Sequence, residues 1–159
     1  SPEMKSTGEA IGYDRTLNRA LYKALQASGM RLQNYGTILV TIADKDKEEA
    51  LPLIRRFYNL GFNIEGTEGT ARFLKAHGIR THALKKISEG SSEIPEALRQ
   101  GHIAYVINTR DPGSNQHDGV QIRQIATEYN VTMFTALDTV RVLLDVLEET
   151  TLTISTIDA

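Results

Sequence analysis

From residue 37 onward the chain alternates short unbroken apolar runs with longer stretches in which apolar residues recur every three or four positions. Ile38–Ile42 is apolar but for Thr41, the pattern of a central parallel strand buried on both faces. Helical spacing follows through Asn59, with Asp46 and Glu49 placed as a capping box. Pro52 falls inside that helix and is expected to kink it or delay its start. Phe62–Glu65 predicts a second strand, Thr70–Ala76 a helix closed by Gly78, and His82–Leu84 a short third strand. The loop Lys85–Ser92 leads to a short helix around Pro95–Gln100, and His102–Asn108 reads as strand four. The polar loop Thr109–Asp118 (TRDPGSNQHD) has the character of a lid or binding loop. Helix Val120–Tyr129, strand Val131–Phe134 and helix Asp138–Glu149 complete the series. Five strands separated by helices predict an α/β fold, a three-layer α/β/α sandwich on a five-stranded parallel sheet, Rossmann-like in plan.

The two ends read differently. Residues 1–14 show no apolar period, whereas Thr16–Ser28 places Leu17, Ala20, Leu21, Ala24 and Leu25 on one helical face before Gly29 stops the pattern. That unit is too small for a core of its own, so it is expected to dock on the main domain or on a partner surface. Residues 150–159, TTLTISTIDA, are β-prone and are expected to form a tail or an edge strand.

Composition narrows the field. A chain of 159 residues with 40% hydrophobic positions can bury a core, and a net charge of -2 leaves no basic face for general nucleic-acid binding. No apolar run is long enough to cross a membrane, and the polar N-terminus does not read as a signal peptide. The absence of cysteine excludes disulfides and thiolate metal sites and fits the cytoplasm. Because it begins on Ser1, the chain is expected to be a fragment or a processed product.

The chemistry concentrates at one place. In Gly66-Thr67-Glu68-Gly69-Thr70, glycines allow close approach of backbone N–H groups, threonines add hydroxyls, and a following helix N-terminus favours negative charge. Ligands of parallel α/β sheets bind beyond the carboxyl ends of the strands. That edge gathers Thr41, Asp44 and Lys47 after strand one and Thr67–Thr70 after strand two. It also gathers Lys85 and Lys86 after strand three, and Asn108, Thr109 and Arg110 after strand four. Hydroxyls, lysines and an arginine converging there describe a seat for an anionic small molecule. Glu68 should point away from it, since a carboxylate would repel the ligand. The four histidines, His77, His82, His102 and His117, have no metal-binding spacing, and His77 suits a helix C-terminus.

Taken together, TIADKDK (41–47), GTEGTA (66–71), LKKISEG (84–90) and YVINTR (105–110) resemble the methylglyoxal-synthase-like domain. The nearest likeness is to the C-terminal allosteric domain of the large subunit of carbamoyl phosphate synthase. SPEMKSTGEAIGYD (1–14) looks like the end of that subunit's second ATP-grasp synthetase unit. The resemblance implies a remnant of that unit plus linker over 1–36, the allosteric domain over 37–150, and a tail over 151–159. It implies a regulatory module of a cytoplasmic, glutamine-hydrolysing, ATP-dependent ligase that makes carbamoyl phosphate for pyrimidine and arginine synthesis. The parent enzyme would use ATP with magnesium or manganese, while this piece would need no cofactor and would not itself catalyse. Its partners would be a nucleotide effector such as UMP, with IMP or phosphoribosyl pyrophosphate in some members, the remaining large-subunit domains and the glutaminase small subunit. Neither nucleic acid nor membrane is implied, and faces left bare by missing domains are expected to promote self-association. Carried over by position, the effector contacts would be Thr41, Lys47, Thr67, Gly69, Thr70, Lys86 and Asn108, with Thr109 and Arg110 beside them. Thr135 matches a position that helps bind ornithine in some members. The family often has a small hydroxyl residue at the position of Arg110, whose charge is expected to suit a more highly phosphorylated effector.

Three other readings are weaker. Asp44 and Asp46 could form a receiver-type acidic pocket, but HALKK (82–86) lacks the aspartate such domains carry after strand three. A flavodoxin-type module would place its phosphate loop after strand one, where this chain has ADKDK. A methylglyoxal synthase, acting on dihydroxyacetone phosphate, needs a carboxylate base from an aspartate loop after strand three. The loop here is SEGSSEI (88–94), in which Glu89 or Glu93 could serve. His117-Asp118-Gly119 resembles the HDP segment of those enzymes, although helix capping by Asp118 is the preferred reading.

Overall fold

A computed structural model describes residues 20, 23, 27, 32–111 and 117–158, with backbone alone for 152–158. The expected synthetase remnant over 1–36 therefore lies almost wholly outside the described residues, as do residues 112–116 of the polar loop. Ala20, on the expected apolar face of the 16–28 helix, is helical and exposed, as are Lys23 and Ala27.

The strands are β1 (Thr37–Thr41), β2 (Asn63–Thr67), β3 (Thr81–Leu84), β4 (Ile103–Asn108) and β5 (Thr132–Phe134). They pair in parallel in the order β3-β2-β1-β4-β5. The helices are α1 (Lys47–Asn59), α2 (Glu68–Ala76), α3 (Glu93–Arg99), α4 (His117–Glu128) and α5 (Leu137–Asp158). Alternation along the strands divides the core into two layers. Ile38 and Val40 of β1 face a cluster with Leu53, Ile54 and Phe57 of α1, Leu74 of α2, and Val140, Leu143 and Leu144 of α5. Leu39 faces the other way, against Ile94 and Leu98 of α3 and Ile122 of α4. Among the described residues, the expected three-layer α/β/α sandwich is thus formed by α1, α2 and α5 on one face and α3 and α4 on the other.

Tyr105, fully buried at the middle of β4, packs against Phe57, Phe62 and Phe134 with ring centroids 6.0 to 6.5 Å apart. Its hydroxyl accepts a bond from the Gln33 N–H at 2.7 Å and donates one to the Gln33 carbonyl at 2.9 Å. On the same face, Arg56 of α1 bonds Glu148 through two nitrogens at 2.6 and 3.0 Å and Asp145 at 2.7 Å, tying α1 to α5. Gly66 is required by a close approach: a Cβ there would sit 2.9 Å from the Val40 carbonyl oxygen of the neighbouring strand. Gly78 closes α2 with φ of 82°.

Several local expectations change. The capping box does not form. A 3-10 turn over Asp44–Asp46 precedes α1, and Asp46 takes a helical backbone (φ -103°, ψ -6°) in which its side chain makes no cap bond. Its carboxylate is held instead by Lys45 at 3.1 Å. Pro52 lies inside α1 without delaying its start at Lys47, and the carbonyl it cannot serve belongs to the exposed residue Glu48. Residues 150–158 form neither tail nor edge strand; α5 runs through them to Asp158. Asp118 does not cap α4 either, because the helix begins at His117 and the Asp118 carboxylate bonds the Ser88 N–H.

Candidate functional site

The strand order reverses its direction of growth between β1 and β4, and the carboxyl ends of these strands open a crevice of the kind that binds ligands in doubly wound sheets. A cavity of about 590 Å³ lies there. Its walls include Thr41, Asp44 and Lys47 from the end of β1 and the turn beyond, Thr67, Gly69, Thr70 and Arg72 from β2 and α2, Lys86 and Ser88 beyond β3, and Asn108, Thr109, Arg110 and Asp111 beyond β4. Asp118, Gly119 and Ile122 of α4 close the far side.

The threonines are locked together. Thr67 hydroxyl lies 3.4 Å from that of Thr41 and 3.3 Å from that of Thr70. Thr70 in turn accepts the Ile42 N–H at 3.1 Å, and Thr109 accepts the Ala43 N–H at 2.9 Å, so both hydroxyls hold the turn after β1 in place. Thr67, Thr70, Asn108 and Thr109 are all buried despite being polar. Thr67 stands at the N-cap of α2 in extended conformation, yet its side chain makes no cap bond. The first-turn N–H groups of α2 are therefore left to a ligand or to water. Gly69 lies in that turn, and a Cβ there would meet nothing within 4 Å. Protein packing does not demand glycine at this position, and the first turn of α2 is open there.

Charge surrounds this cluster. Lys47 pairs with Asp44, whose exposed carboxyl is held below its ordinary range by the Lys47 hydrogen bond and charge, with Lys86 adding to the effect. A ligand phosphate arriving here would meet lysines already gathered at one edge. Asn108 lies beside Gly119, where an added Cβ would come to 3.0 Å from its Nδ2.

All seven residues carried over from the family pattern, together with Thr109 and Arg110, thus line one cavity. Thr135 does not. It belongs to a second cavity of about 610 Å³ beside β5, lined also by Lys45, Glu49, Arg123 and Asp138, which shares Thr109 and Arg110 with the first. Lys85 and Glu68 are exposed and lie off both walls. Glu89 and Glu93, the carboxylates weighed as bases, also lie outside, and Glu93 is occupied by the Lys85 N–H at 2.9 Å and the Ser91 hydroxyl at 3.1 Å. Among the described residues no cluster of three or more His, Cys, Asp or Glu could hold a metal ion. No helix among them is long and apolar enough to cross a membrane.

Arg72, Ser88 and Asp118 were not gathered by the rule of strand ends. Arg72 sits two positions beyond Thr70 and Asp118 lies in the first turn of α4, so neither directly follows a strand; the HDG string was the signal available for Asp118.

Two comparisons agree with this geometry. The methylglyoxal synthase from Elizabethkingia anophelis NUHP1 shares the fold, with a TM-score of 0.59 at 19% identity over 71% of this chain and 79% of that one. The model of the MGS-like domain matches residues 49–135. That match spans more than half of the sequence and includes the start of α2 and β4, and the chain belongs to the MGS-like domain family.

Proposed function

We propose that this domain binds a phosphorylated effector, a nucleoside monophosphate such as UMP, and acts as the allosteric module of a carbamoyl phosphate synthase large subunit without catalysing a reaction itself. The observation that carries the reading is the cluster of Thr41, Thr67 and Thr70 hydroxyls at the uncapped start of α2, with Lys47 and Lys86 on the same wall. Phosphate would sit there, bonded by hydroxyls and first-turn N–H groups. A cavity of about 590 Å³ has room for a nucleoside as well. Regulation then requires that the effector bind active and inactive states of the parent enzyme with different affinity. Residues 1–36 as the end of a synthetase unit, cytoplasmic location, and contact with the other enzyme domains belong to the same proposal.

The test is calorimetric titration with UMP, using inorganic phosphate as control, repeated on Lys47→Ala. Saturable UMP binding that phosphate does not reproduce, weakened about tenfold or more in the variant, supports the reading. No binding by the wild-type chain counts against it. Titration of Arg110→Ala with UMP and phosphoribosyl pyrophosphate checks the role of that arginine. A larger loss for the pyrophosphate is expected, and equal affinities before and after substitution would remove it.

A second reading, a lyase acting on dihydroxyacetone phosphate, keeps the same phosphate seat, and the fold of the Elizabethkingia enzyme favours it. It needs a carboxylate base beside the bound substrate. Glu89 and Glu93 are off the cavity, and Asp44 is ion-paired with its proton affinity lowered, which leaves Asp111 and Asp118. Phosphate release from dihydroxyacetone phosphate by the purified chain would establish this alternative.

A further inference from the structure

Lys47 stands where a cation is poorly accommodated. It is the first residue of α1, and the partial positive charge of a helix N-terminus disfavours an ammonium group there. Its side chain is only 16% exposed, so water relieves little of that cost. Glu48 and Glu49 follow at once, but residues one or two positions apart on a helix do not face each other. The compensating charge is Asp44, three positions earlier in the 3-10 turn, whose Oδ1 accepts a hydrogen bond from the Lys47 ammonium. The two partners are unequal. Asp44 has 89% of its side chain exposed, so its carboxylate, once released, is already in water. Both residues line the cavity, and the charge of Lys86 on the same wall also reaches Asp44. The carboxylate thus lies within the field of the two lysines that would hold a ligand's phosphate. A phosphate monoester brings more charge and more acceptor oxygens than a carboxylate, and it can take Lys47 from Asp44.

We propose that Asp44 is a placeholder anion, which neutralises Lys47 in the empty site, yields it to the phosphate of the ligand, and so sets the affinity of the seat. This rests on the phosphate seat proposed above and deepens it. Each binding event exchanges one ion pair for another, so the ligand gains only the difference between them. The same exchange keeps the empty domain stable, because Lys47 is never left without a counter-charge. Removing the Asp44 charge should therefore act in opposite directions on the two states, weakening the empty fold and tightening the complex.

The experiment titrates UMP calorimetrically into the wild-type chain, Asp44→Asn, Asp44→Glu, Lys47→Ala and the Asp44→Asn/Lys47→Ala double variant. Ligand-free melting is recorded for the first three, with circular dichroism confirming each fold. Asp44→Asn should bind UMP about threefold to tenfold more tightly and melt at a lower temperature without ligand. Loss of a merely structural contact would lower stability without raising affinity. Asp44→Glu keeps the charge and should return both quantities toward wild type. In the Lys47→Ala background the asparagine substitution should leave affinity unchanged, since no ammonium remains to compete for. Equal or weaker UMP binding by Asp44→Asn, with the wild type binding, overturns the placeholder role and leaves the phosphate seat standing. A gain that persists in the Lys47→Ala background also overturns it, by assigning the effect to the general field of the carboxylate. Failure of the wild type to bind UMP overturns the seat and the placeholder role together.

Discussion

Thr70 joins the stability of the fold to the chemistry of the site, and Thr70→Val separates its parts. Valine matches threonine in shape but replaces the hydroxyl with a methyl group. In the native chain that oxygen accepts the Ile42 N–H at 3.1 Å, and Thr70 and Ile42 are only 3% and 5% exposed. The variant leaves a nearly buried N–H without its acceptor, at a cost of about 1–3 kcal/mol. For a chain of this size the melting temperature should fall roughly 2–12 °C. Urea unfolding should show a lower midpoint at unchanged slope, because the exposed surface is the same. Thr70→Ser is the control: it keeps the acceptor and loses only a methyl group, about 0.8 kcal/mol. Phosphate-bearing ligands should bind Thr70→Ser nearly as well as wild type and Thr70→Val poorly. If Thr70→Val melted with the wild type, the Ile42 N–H would have another acceptor and the proposed coupling of turn and site would be wrong.

Two further outcomes follow from the same geometry. Gly69→Ala should fold at least as well as wild type, since a Cβ there meets nothing and alanine favours helix, yet it should weaken UMP binding about tenfold or more by obstructing the first turn of α2. Parallel melting and calorimetry check this, and undiminished binding would place the phosphate elsewhere. Burial pushes the Tyr105 hydroxyl up to about 12 from its usual 10, with its bond to Gln33 opposing the shift. Above pH 10 the unfolded chain can lose that proton while the native one retains it, so this contribution is complete below pH 10 and declines toward pH 12. The loss is roughly 2–3 kcal/mol. Melts of Tyr105→Phe should lack that part of the alkaline decline, and identical pH profiles would rule out Tyr105 as its source.

Much of this was legible because burial on both faces writes strands as plain apolar runs. Ile38–Ile42 and His102–Asn108 located β1 and β4 to within a residue, and those two strands bracket the switch point. Once the sheet was parallel, strand ends alone assembled Thr41, Lys47, Thr67, Thr70, Lys86 and Asn108. What escaped depends on neighbours distant in sequence. The Asp46–Glu49 pair has capping-box spacing, but the preceding 3-10 turn fixes a backbone that the box cannot use. The β-branched residues after Thr150 favour strand on propensity, whereas extending an existing helix gains a hydrogen bond for each residue fixed, and α5 simply continues. Asp118 drew notice as a helix cap, and its actual partner, Ser88, lies 30 residues away in sequence.

The bond pair between Tyr105 and Gln33 has a mechanical consequence. A single phenol grips both polar groups of one peptide residue, so the incoming chain is sutured to β4, an inner strand of the sheet, rather than merely resting on it. Asn108 lies three residues along that strand, about 10 Å away, on the cavity wall. A tug on the segment at Gln33 and an occupant pressing on Asn108 would load the same short strand, one at its middle and the other at its carboxyl end. β4 is in that sense a tie-bar, and its stiffness, set by Ile38 and Thr132 paired on either side of Tyr105, decides how much of one displacement arrives at the other.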